Sequence, residues 1–453
     1  MLRRVVSMGI SLLVILSFAQ APDTLWTKTY GGSAIDIGYS VRQTADNGLI
    51  VVGITQSFGA GGSDVYLIKT DVNGDSLWTR TYGDSSSDAG YSVEQTNDGG
   101  YIISGGTHSF GVGGSDVYLI KTDSAGDTSW TRTYGTVNHE DGRSVQQTYD
   151  GGYIVGGWTG YQTGNADFLL LKTDENGDTL WTQTFNGESE DLCYAVRQTA
   201  DSGFIMVGTA AYGSGHANLF IVRTDRNGDT LWTKTYGGNA GEHGRSVQQT
   251  MDGGFIITGW TGSFAVYGED VWLLKTDAYG DTLWTRTYNR SLNDRGEEVQ
   301  QTCDGGYVIA GMTAQMPWVT AWWDVYVLRT DSLGTRLWHR CFGHLEADDW
   351  GYSVEQTSDS GYVITGHKFM NPGRDLWIIK LASDMALEEE QSKTVKDIGF
   401  GPTIVRGPLR LPEGKSCKVF DITGRVVAPD RIAPGVYFLQ VDEKIVQKIV
   451  KIR

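Results

Sequence analysis

The chain of 453 residues is poor in the residues that build metal centres and common catalytic sites. It has only four cysteines, and their spacings match no zinc-binding pattern. The seven histidines are scattered, and no Ser-His-Asp order, HExxH or GxSxG motif is present. The sequence therefore indicates no particular reaction, and we expect no cofactor and no metal.

A basic excess is missing as well. The formal net charge is −17, although the tail from Ile404 to Arg453 carries ten Lys or Arg against five Asp or Glu. Because the phosphates of DNA and RNA attract Lys and Arg, we expect no nucleic acid partner for this acidic chain. An acidic surface also keeps an exported protein soluble, so the charge identifies no ligand.

Long apolar runs are missing except at the start of the chain. The run from Val5 to Phe18 is shorter than the ~20 residues that a membrane-spanning helix needs. Arg3 and Arg4 precede it and a small-x-small site ends at Ala19, which is the pattern of a signal peptide. We therefore predict that residues 1–19 are a signal peptide and that the chain has no transmembrane segment.

One repeated unit fills most of the chain. A tryptophan recurs seven times at steps of 51 to 54 residues: Trp26, Trp78, Trp130, Trp181, Trp232, Trp284 and Trp338. A Gln-Thr pair recurs in phase with it, beginning at Gln43 and ending at Gln356. Such units bury their apolar faces only against their neighbours, so the repeat predicts an array of packed units.

Each unit contains four short runs rich in Val, Ile, Thr, Tyr and Trp, separated by Gly, Asp and Asn. We predict four antiparallel strands, A to D, joined by tight A–B and C–D hairpins. Strand C, as in Tyr118-Leu119-Ile120, shows little apolar alternation, which indicates apolar neighbours on both faces. Four strands at this period are typical of a β-propeller.

The ends of the array predict how the ring closes. A lone strand D, Thr24 to Tyr30, precedes the first unit, and the last unit ends at Leu381 without a strand D. The first strand can complete the last blade and leave no open edge. We therefore predict an all-β, seven-bladed β-propeller over residues 20–382, closed by its N-terminal strand.

The tail differs in composition from the units. After a polar linker at 383–403, we predict a small β-sandwich at 404–453 from the runs "CKVFDITGRVV", "APGVYFLQV" and "KIVQKIVKIR". The order and spacing of these runs and the terminal Arg453 resemble the C-terminal sorting domain of type IX secretion cargo, although the usual Asn-Pro start has no clear counterpart. The resemblance implies recognition by the outer-membrane export machinery, with the tail then cleaved or kept as an anchor.

The units are similar to bacterial secreted β-propeller repeats, which share a "GG…D…G" start and a D-aromatic-hydrophobic-x-Lys strand, as in Asp116 to Lys121. This resemblance implies a secreted or cell-surface location reached through the periplasm. It implies no common activity. We expect a monomer.

The B–C and D–A connections should lie together on one rim, and they vary between units. B–C loops carry aromatic residues, namely Phe58, Phe110, Tyr161, Tyr212, Phe264, Tyr267 and Phe369. D–A loops carry acids, namely Asp36, Asp88, Asp141, Asp191, Glu242, Asp294 and Asp349. One interpretation is a surface for sugars or peptides; the other is that the aromatics fill gaps between blades and the acids cap their own turns.

Unit 6 departs from the pattern, because its B–C loop from Met312 to Trp323 is longest and holds three tryptophans found in no other unit. Apolar patches on soluble surfaces usually mark contact sites, although the loop could instead fold inward and bury its rings. The candidate binding residues are Trp318, Trp322, Trp323, Phe369, Asp348 and Asp349.

Two functions remain open. The first is a binding or structural module for glycan or protein partners at the cell surface. The alternative is a carbohydrate-active enzyme, a lyase or hydrolase, that uses acids of the loop-rich rim. Turns such as Asp174 to Asp178 resemble Ca²⁺ loops faintly, so Ca²⁺ is the one ion considered, but a bidentate Glu is absent and we interpret them as hairpins.

Overall fold

The computed structural model describes residues 20–160, 166–186, 190–212, 216–314, 322–344 and 346–384, and the strands of the tail within 403–452. Two compact units divide the chain after Asp384. The first unit consists of seven four-stranded antiparallel sheets, so the described residues confirm an all-β propeller of seven blades. Among the described residues, no helix has the length and apolarity needed to cross a membrane.

The strands follow the predicted order, and β1 (Thr24–Tyr30) precedes the first complete blade. Blade 1 consists of β2 (Asp36–Gln43), β3 (Leu49–Thr55), β4 (Asp64–Thr70) and β5 (Ser76–Tyr82). Blade 2 consists of β6 (Asp88–Gln95), β7 (Tyr101–Thr107), β8 (Asp116–Thr122) and β9 (Thr128–Tyr134). Blade 3 consists of β10 (Glu140–Gln147), β11 (Tyr153–Thr159), β12 (Asp167–Thr173) and β13 (Thr179–Phe185). Blade 4 consists of β14 (Asp191–Gln198), β15 (Phe204–Tyr212), β16 (His216–Thr224) and β17 (Thr230–Tyr236). Blade 5 consists of β18 (Glu242–Gln249), β19 (Phe255–Thr261), β20 (Asp270–Thr276) and β21 (Thr282–Tyr288). Blade 6 consists of β22 (Asp294–Gln301), β23 (Tyr307–Ala314), β24 (Trp323–Thr330) and β25 (Arg336–Phe342).

Blade 7 joins the two ends of the ring. It contains β26 (Trp350–Gln356), β27 (Tyr362–Phe369) and β28 (Arg374–Leu381). Its fourth strand is β1, which pairs antiparallel with β28 so that Tyr30 lies opposite Leu376. The first strands of all seven blades contact one another in a closed circle around a central channel.

The core lies between neighbouring blades. Every residue of β4 and of β8 is buried, because blades pack against both faces of each third strand. The outer fourth strands instead alternate, so that Leu77 on β5 is exposed and Trp78 faces the next blade. The missing alternation in strand C is thereby explained by the stacking of sheets.

The repeated Gln of the first strand ties each blade to the one before it. Gln95 Oε1 in blade 2 accepts the backbone N–H of Ala45 from the A–B turn of blade 1, at 2.8 Å. Equivalent bonds link every neighbouring pair, including Ser358 N–H to Gln43 Oε1 across the closure at 2.7 Å. The Gln therefore recurs because it accepts the backbone N–H of a turn in the neighbouring blade at each interface.

The tail unit forms one sheet among its described residues. Its strands are β29 (Thr403–Arg406), β30 (Cys417–Asp421), β31 (Val426–Val427), β32 (Gly435–Val441) and β33 (Lys444–Ile452). The order is β29-β33-β32-β30-β31, with β29 parallel to β33 and the other pairs antiparallel. Two facing sheets are not seen in these strands, so the β-sandwich stays a prediction.

Candidate functional site

The acids that begin the first strands hold their own loops. Asp36 is fully buried, and its Oδ2 accepts the N–H of Gly32 at 2.9 Å and the hydroxyl of Ser57 at 2.6 Å. The equivalent acid of blade 3 is Glu140, so the prediction that placed Asp141 in this set was wrong. The set, buried throughout, consists of Asp36, Asp88, Glu140, Asp191, Glu242, Asp294 and Asp349. These acids recur because the fold needs them, which favours the capping interpretation.

The aromatic residues of the B–C loops also serve the repeat. Phe58 packs on Tyr66 of its own blade with ring centroids 5.7 Å apart, and Phe110 packs on Tyr118 at 5.6 Å in the same way. Tyr161 lies outside the described residues, and so does the side chain of Tyr212. Tyr267 is exposed. The packed rings cover the strands beneath them. Because the same packing repeats from blade to blade, we interpret these rings as part of the fold.

The described tryptophans of blade 6 lie beside blade 7. Trp318 is outside the described residues, whereas Trp322 and Trp323 are partly buried. The Trp323 ring stands nearly perpendicular to Trp350, with centroids 6.3 Å apart, and the Arg295 guanidinium lies 5.1 Å from its centre. Trp323 is therefore neither fully exposed nor buried in the core, and it forms part of a larger aromatic surface.

The other candidate residues lie where blades 6 and 7 meet, and they differ in the hydrogen bonds that they already make. Asp348 Oδ1 accepts the N–H of Trp323 at 3.2 Å. Asp349 is buried, and its two oxygens accept the N–H groups of Phe369 and His344 at 2.7 and 2.8 Å. Phe369 is exposed. The structure thus brings these residues together, with Asp349 engaged by the backbone.

A ring of side chains that sequence analysis missed lines the middle of the channel. It comprises Tyr39, Tyr91, Arg143, Tyr194, Arg245, Glu297 and Tyr352, called here the channel ring. The space within it is small, about 90 Å³. The four tyrosines follow the repeat, whereas the two arginines and the glutamate do not. Aligning the first strands of the seven units would have revealed these three departures.

The arginines of the channel ring are sandwiched between aromatic rings. The Arg143 guanidinium lies 3.7 Å from the centre of Tyr91 and 4.2 Å from that of Trp158. Arg245 lies 3.9 Å from Tyr194 and 4.6 Å from Trp260. Cation–π contacts of this kind hold the guanidinium planes in fixed orientations.

Carboxylates balance these cations. Arg143 Nη2 lies 3.0 Å from Asp141 Oδ2, and Arg245 Nε lies 3.5 Å from Glu297 Oε2. Burial raises the pKa of Glu297 although two arginines oppose the shift. This mouth of the channel therefore has no large excess of one charge.

Two histidines at the mouth are neutral at neutral pH. Burial, with Arg245 and Arg295 nearby, lowers the pKa of His243 to about 4. Burial and then Arg374 lower the pKa of His367 to about 3. The His243 ring stacks on Trp260 at 4.7 Å, so it acts as another flat aromatic group.

An ion-paired group closes the channel below the ring. Glu298 replaces the small residue found at this position in the other blades, and it reaches Arg42 Nη2 at 2.9 Å and Arg197 Nη2 at 3.9 Å. These three residues line both the channel ring space and a chamber of about 340 Å³ on the hairpin side. The channel ring space and the hairpin-side chamber therefore meet at these three side chains.

Comparisons with known proteins support the fold and little more. No family model matches the chain. Regulatory protein FlaEY of Caulobacter vibrioides is 27% identical over 174 residues, which is 32% of this chain and 18% of that protein, so the chain spans under a fifth of its length. The WD40 domain of Neurospora crassa Pan2 superposes with a TM-score of 0.50 at 8% identity, over 80% of this chain and 96% of that domain. Sqt1 from Chaetomium thermophilum superposes with a TM-score of 0.43 at 11% identity, over 76% of this chain and 82% of that chain.

The Pan2 likeness, at 8% identity, shows the β-propeller fold alone. A function specific to this chain therefore depends on its own side chains.

Proposed function

We propose that this protein is an exported β-propeller that binds a glycan at the cell surface through the channel mouth on its loop-rich rim. The observation that carries the proposal is the non-repeating cluster of indole and guanidinium groups there: Trp158, Trp260, Trp323, Trp350, Arg143, Arg245 and Arg295. Residues that the fold needs recur in every blade, and these do not. Trp158 and Trp260 are buried beneath the arginines, and Trp323 and Trp350 are the partly exposed indoles that a ligand would contact.

The chemistry of this cluster suits sugars. Aromatic faces pack well against the apolar C–H faces of pyranose rings, and charged or amide groups bind their hydroxyls. The near balance of Arg143 with Asp141 and of Arg245 with Glu297 favours a ligand without high charge. Binding to a protein receptor is the alternative to glycan binding.

The carbohydrate-active enzyme has less support. It required free acids on the loop-rich rim, and the seven acids that begin the first strands are buried. Asp36 and Asp349, for example, accept hydrogen bonds from the loops and strands of their own rim. Such carboxylates are held in place for the fold and are poorly placed to act on a substrate.

Trp323→Ala tests the glycan-binding surface. In the mature full-length protein, we expect glycan-array binding to weaken about tenfold, since loss of a stacking contact is worth roughly 0.5–1.5 kcal/mol beyond buried area. Tyr279→Ala is the control, because Tyr279 is an exposed aromatic in a C–D turn on the opposite rim. Absence of glycan binding by the unmodified protein would refute the proposal, and binding to a protein receptor instead would establish the other partner class.

The export part of the proposal rests on the predicted signal peptide and on the tail. Removal of residues 385–453 should trap a folded propeller in the periplasm. Cell fractionation that finds this truncated protein at the surface would reject a sorting role for the tail.

A further inference from the structure

A second cavity opens on the loop-rich rim, where blades 1, 2 and 3 meet. Its volume is about 180 Å³, which is large enough for a single sugar ring. Tyr39, Tyr91, Ala89, Gly106, His108 and Asp141 are among its lining residues. Trp323 is not among its lining residues, so the cavity is distinct from the Trp323 surface of blades 6 and 7.

The cavity exists because blade 2 has the smallest side chains at this level of the ring. Ala89 of β6 pairs with Gly106 of β7. The equivalent pairs are Asp141 with Trp158 in blade 3 and His243 with Trp260 in blade 5. Where blades 3 and 5 place an indole, blade 2 leaves a gap.

The carboxylate of Asp141 occupies one wall of this gap. A Cβ added to Gly106 would lie only 2.0 Å from Asp141 Oδ1, so glycine is what allows the carboxylate to approach. The other oxygen, Oδ2, accepts Arg143 Nη2 at 3.0 Å, which fixes its orientation. Asp141 is the one acid at its position in the seven first strands, where the others have Ile37, Ala89, Leu192, His243, Arg295 and Trp350.

The charges around the cavity select the ligand class. Among its described lining residues there is no Lys or Arg. The second acid, Asp88, is buried and already accepts the hydroxyls of Thr107 and Ser109. Asp141 therefore presents its Oδ1 as an acceptor for hydroxyl groups, while Arg143 on Oδ2 balances its charge, which favours an uncharged ligand.

We infer that this cavity is a subsite for one uncharged pyranose unit, anchored by hydrogen bonds from its hydroxyls to Asp141. The inference rests on the proposed function and deepens it, because it adds a second sugar position to the same mouth. A glycan long enough to reach both positions would contact the tryptophans at one end and Asp141 at the other.

Binding of monosaccharides to the mature full-length protein tests the subsite. The probes are the methyl glycosides of glucose, galactose and mannose, with glucuronic acid as the anionic comparison, measured by saturation-transfer NMR and titration. We expect at least one neutral glycoside to bind and Asp141→Asn to weaken it about tenfold or more, because a hydrogen bond to a charged group is lost. Glu190→Gln, which changes an exposed acid of blade 4 on the same rim, should leave the affinity unchanged.

Gly106→Ala provides an independent test, since its added methyl group fills the gap and displaces the Asp141 carboxylate. Both variants should keep the circular dichroism spectrum and melting temperature of the unmodified protein within a few degrees. Neutral glycosides that bind to both variants as tightly as to the unmodified protein would overturn the subsite and leave the proposed function standing. Preference for glucuronic acid would overturn the charge argument, and absence of binding to any array glycan would refute the proposed function itself.

Discussion

At the scale of single residues, the repeated tryptophans show how one side chain joins two blades. Trp181 on β13 packs edge-on against Phe204 of blade 4, with ring centroids 5.9 Å apart. Its ring also covers Gly228, where an added Cβ would lie 2.9 Å away and where φ is +85°. Trp and Gly therefore recur together, because the turn needs glycine both for its backbone and for the ring above it.

Substitution of these tryptophans should have graded effects. Trp338 is 3% exposed and its Nε1 donates to Asp384 at 2.8 Å, whereas Trp181 is only partly buried. We expect Trp338→Ala to cost about 3–5 kcal/mol and Trp181→Ala about 2–3 kcal/mol, because less apolar surface returns to water in the second variant. Denaturant unfolding of both variants measures the difference. An equal or larger loss in Trp181→Ala would contradict the observed burial.

At the scale of elements, β1 pairs with β28 and supplies the fourth strand of blade 7. Without β1, the apolar strand β28 would present an open edge, and unpaired edges promote aggregation. We expect deletion of residues 20–32 to cause aggregation or a large loss of thermal stability. Size-exclusion chromatography and thermal unfolding test this, with deletion of residues 385–453 as the control. An unchanged melting temperature would show that β1 does not hold the ring.

The strands could be predicted from the sequence because each one is marked by a local residue pattern. Turn residues such as Gly99 and the alternation in β5 fix the strands within one unit, and the period counts the blades. The burial of the rim acids could not be predicted from the sequence. Asp349 lies in a polar loop segment that is typical of the surface, and it is buried only because neighbouring segments of the folded blades cover it. The predicted candidates at blades 6 and 7 were therefore a mixture of surface and framework residues.

The channel was harder to predict for a geometric reason. Its side chains come from seven segments about fifty residues apart, and no local pattern connects them. Arg143 and Arg245 looked like ordinary charged residues in half-buried strands. Their role follows only when the first strands of the seven blades converge around one axis.

At the scale of the whole molecule, one ion pair repeats around the hairpin rim. A buried cation of strand C reaches the Asp of its own A–B turn, as Lys69 Nζ reaches Asp46 at 3.0 Å. The cations are Lys69, Lys121, Lys172, Arg223, Lys275, Arg329 and Lys380, and their partners are Asp46, Asp98, Asp150, Asp201, Asp252, Asp304 and Asp359. Each Asp also accepts a threonine hydroxyl of its turn, so the seven turns share one electrostatic design.

This design makes stability sensitive to acid. Burial alone would raise the pKa of Asp46, but hydrogen bonds from Thr44, Lys69 and the N–H of Gly48 outweigh it and lower the pKa to about 2. The pKa of Asp98 also falls to about 2, and those of the other five partners shift downward. A carboxyl whose pKa is lower in the folded state stabilises the fold above its unfolded pKa of about 4. That contribution is lost as the pH falls towards 2.

A double variant, Asp46→Asn with Asp98→Asn, isolates this effect. Buried carboxyls with raised pKa, such as Glu94 and Glu355, act in the opposite direction, so the melting temperature of the unmodified protein alone would mix the two groups. The double variant keeps those carboxyls and loses two of the seven ion pairs. We expect it to melt below the unmodified protein at pH 5 and the gap to narrow as the pH falls to about 2, where each of the two carboxyls of the folded unmodified protein is about half protonated. A gap that stays constant from pH 5 to pH 2 would show that the hydrogen bonds of these turns, and not their charges, stabilise the hairpin rim.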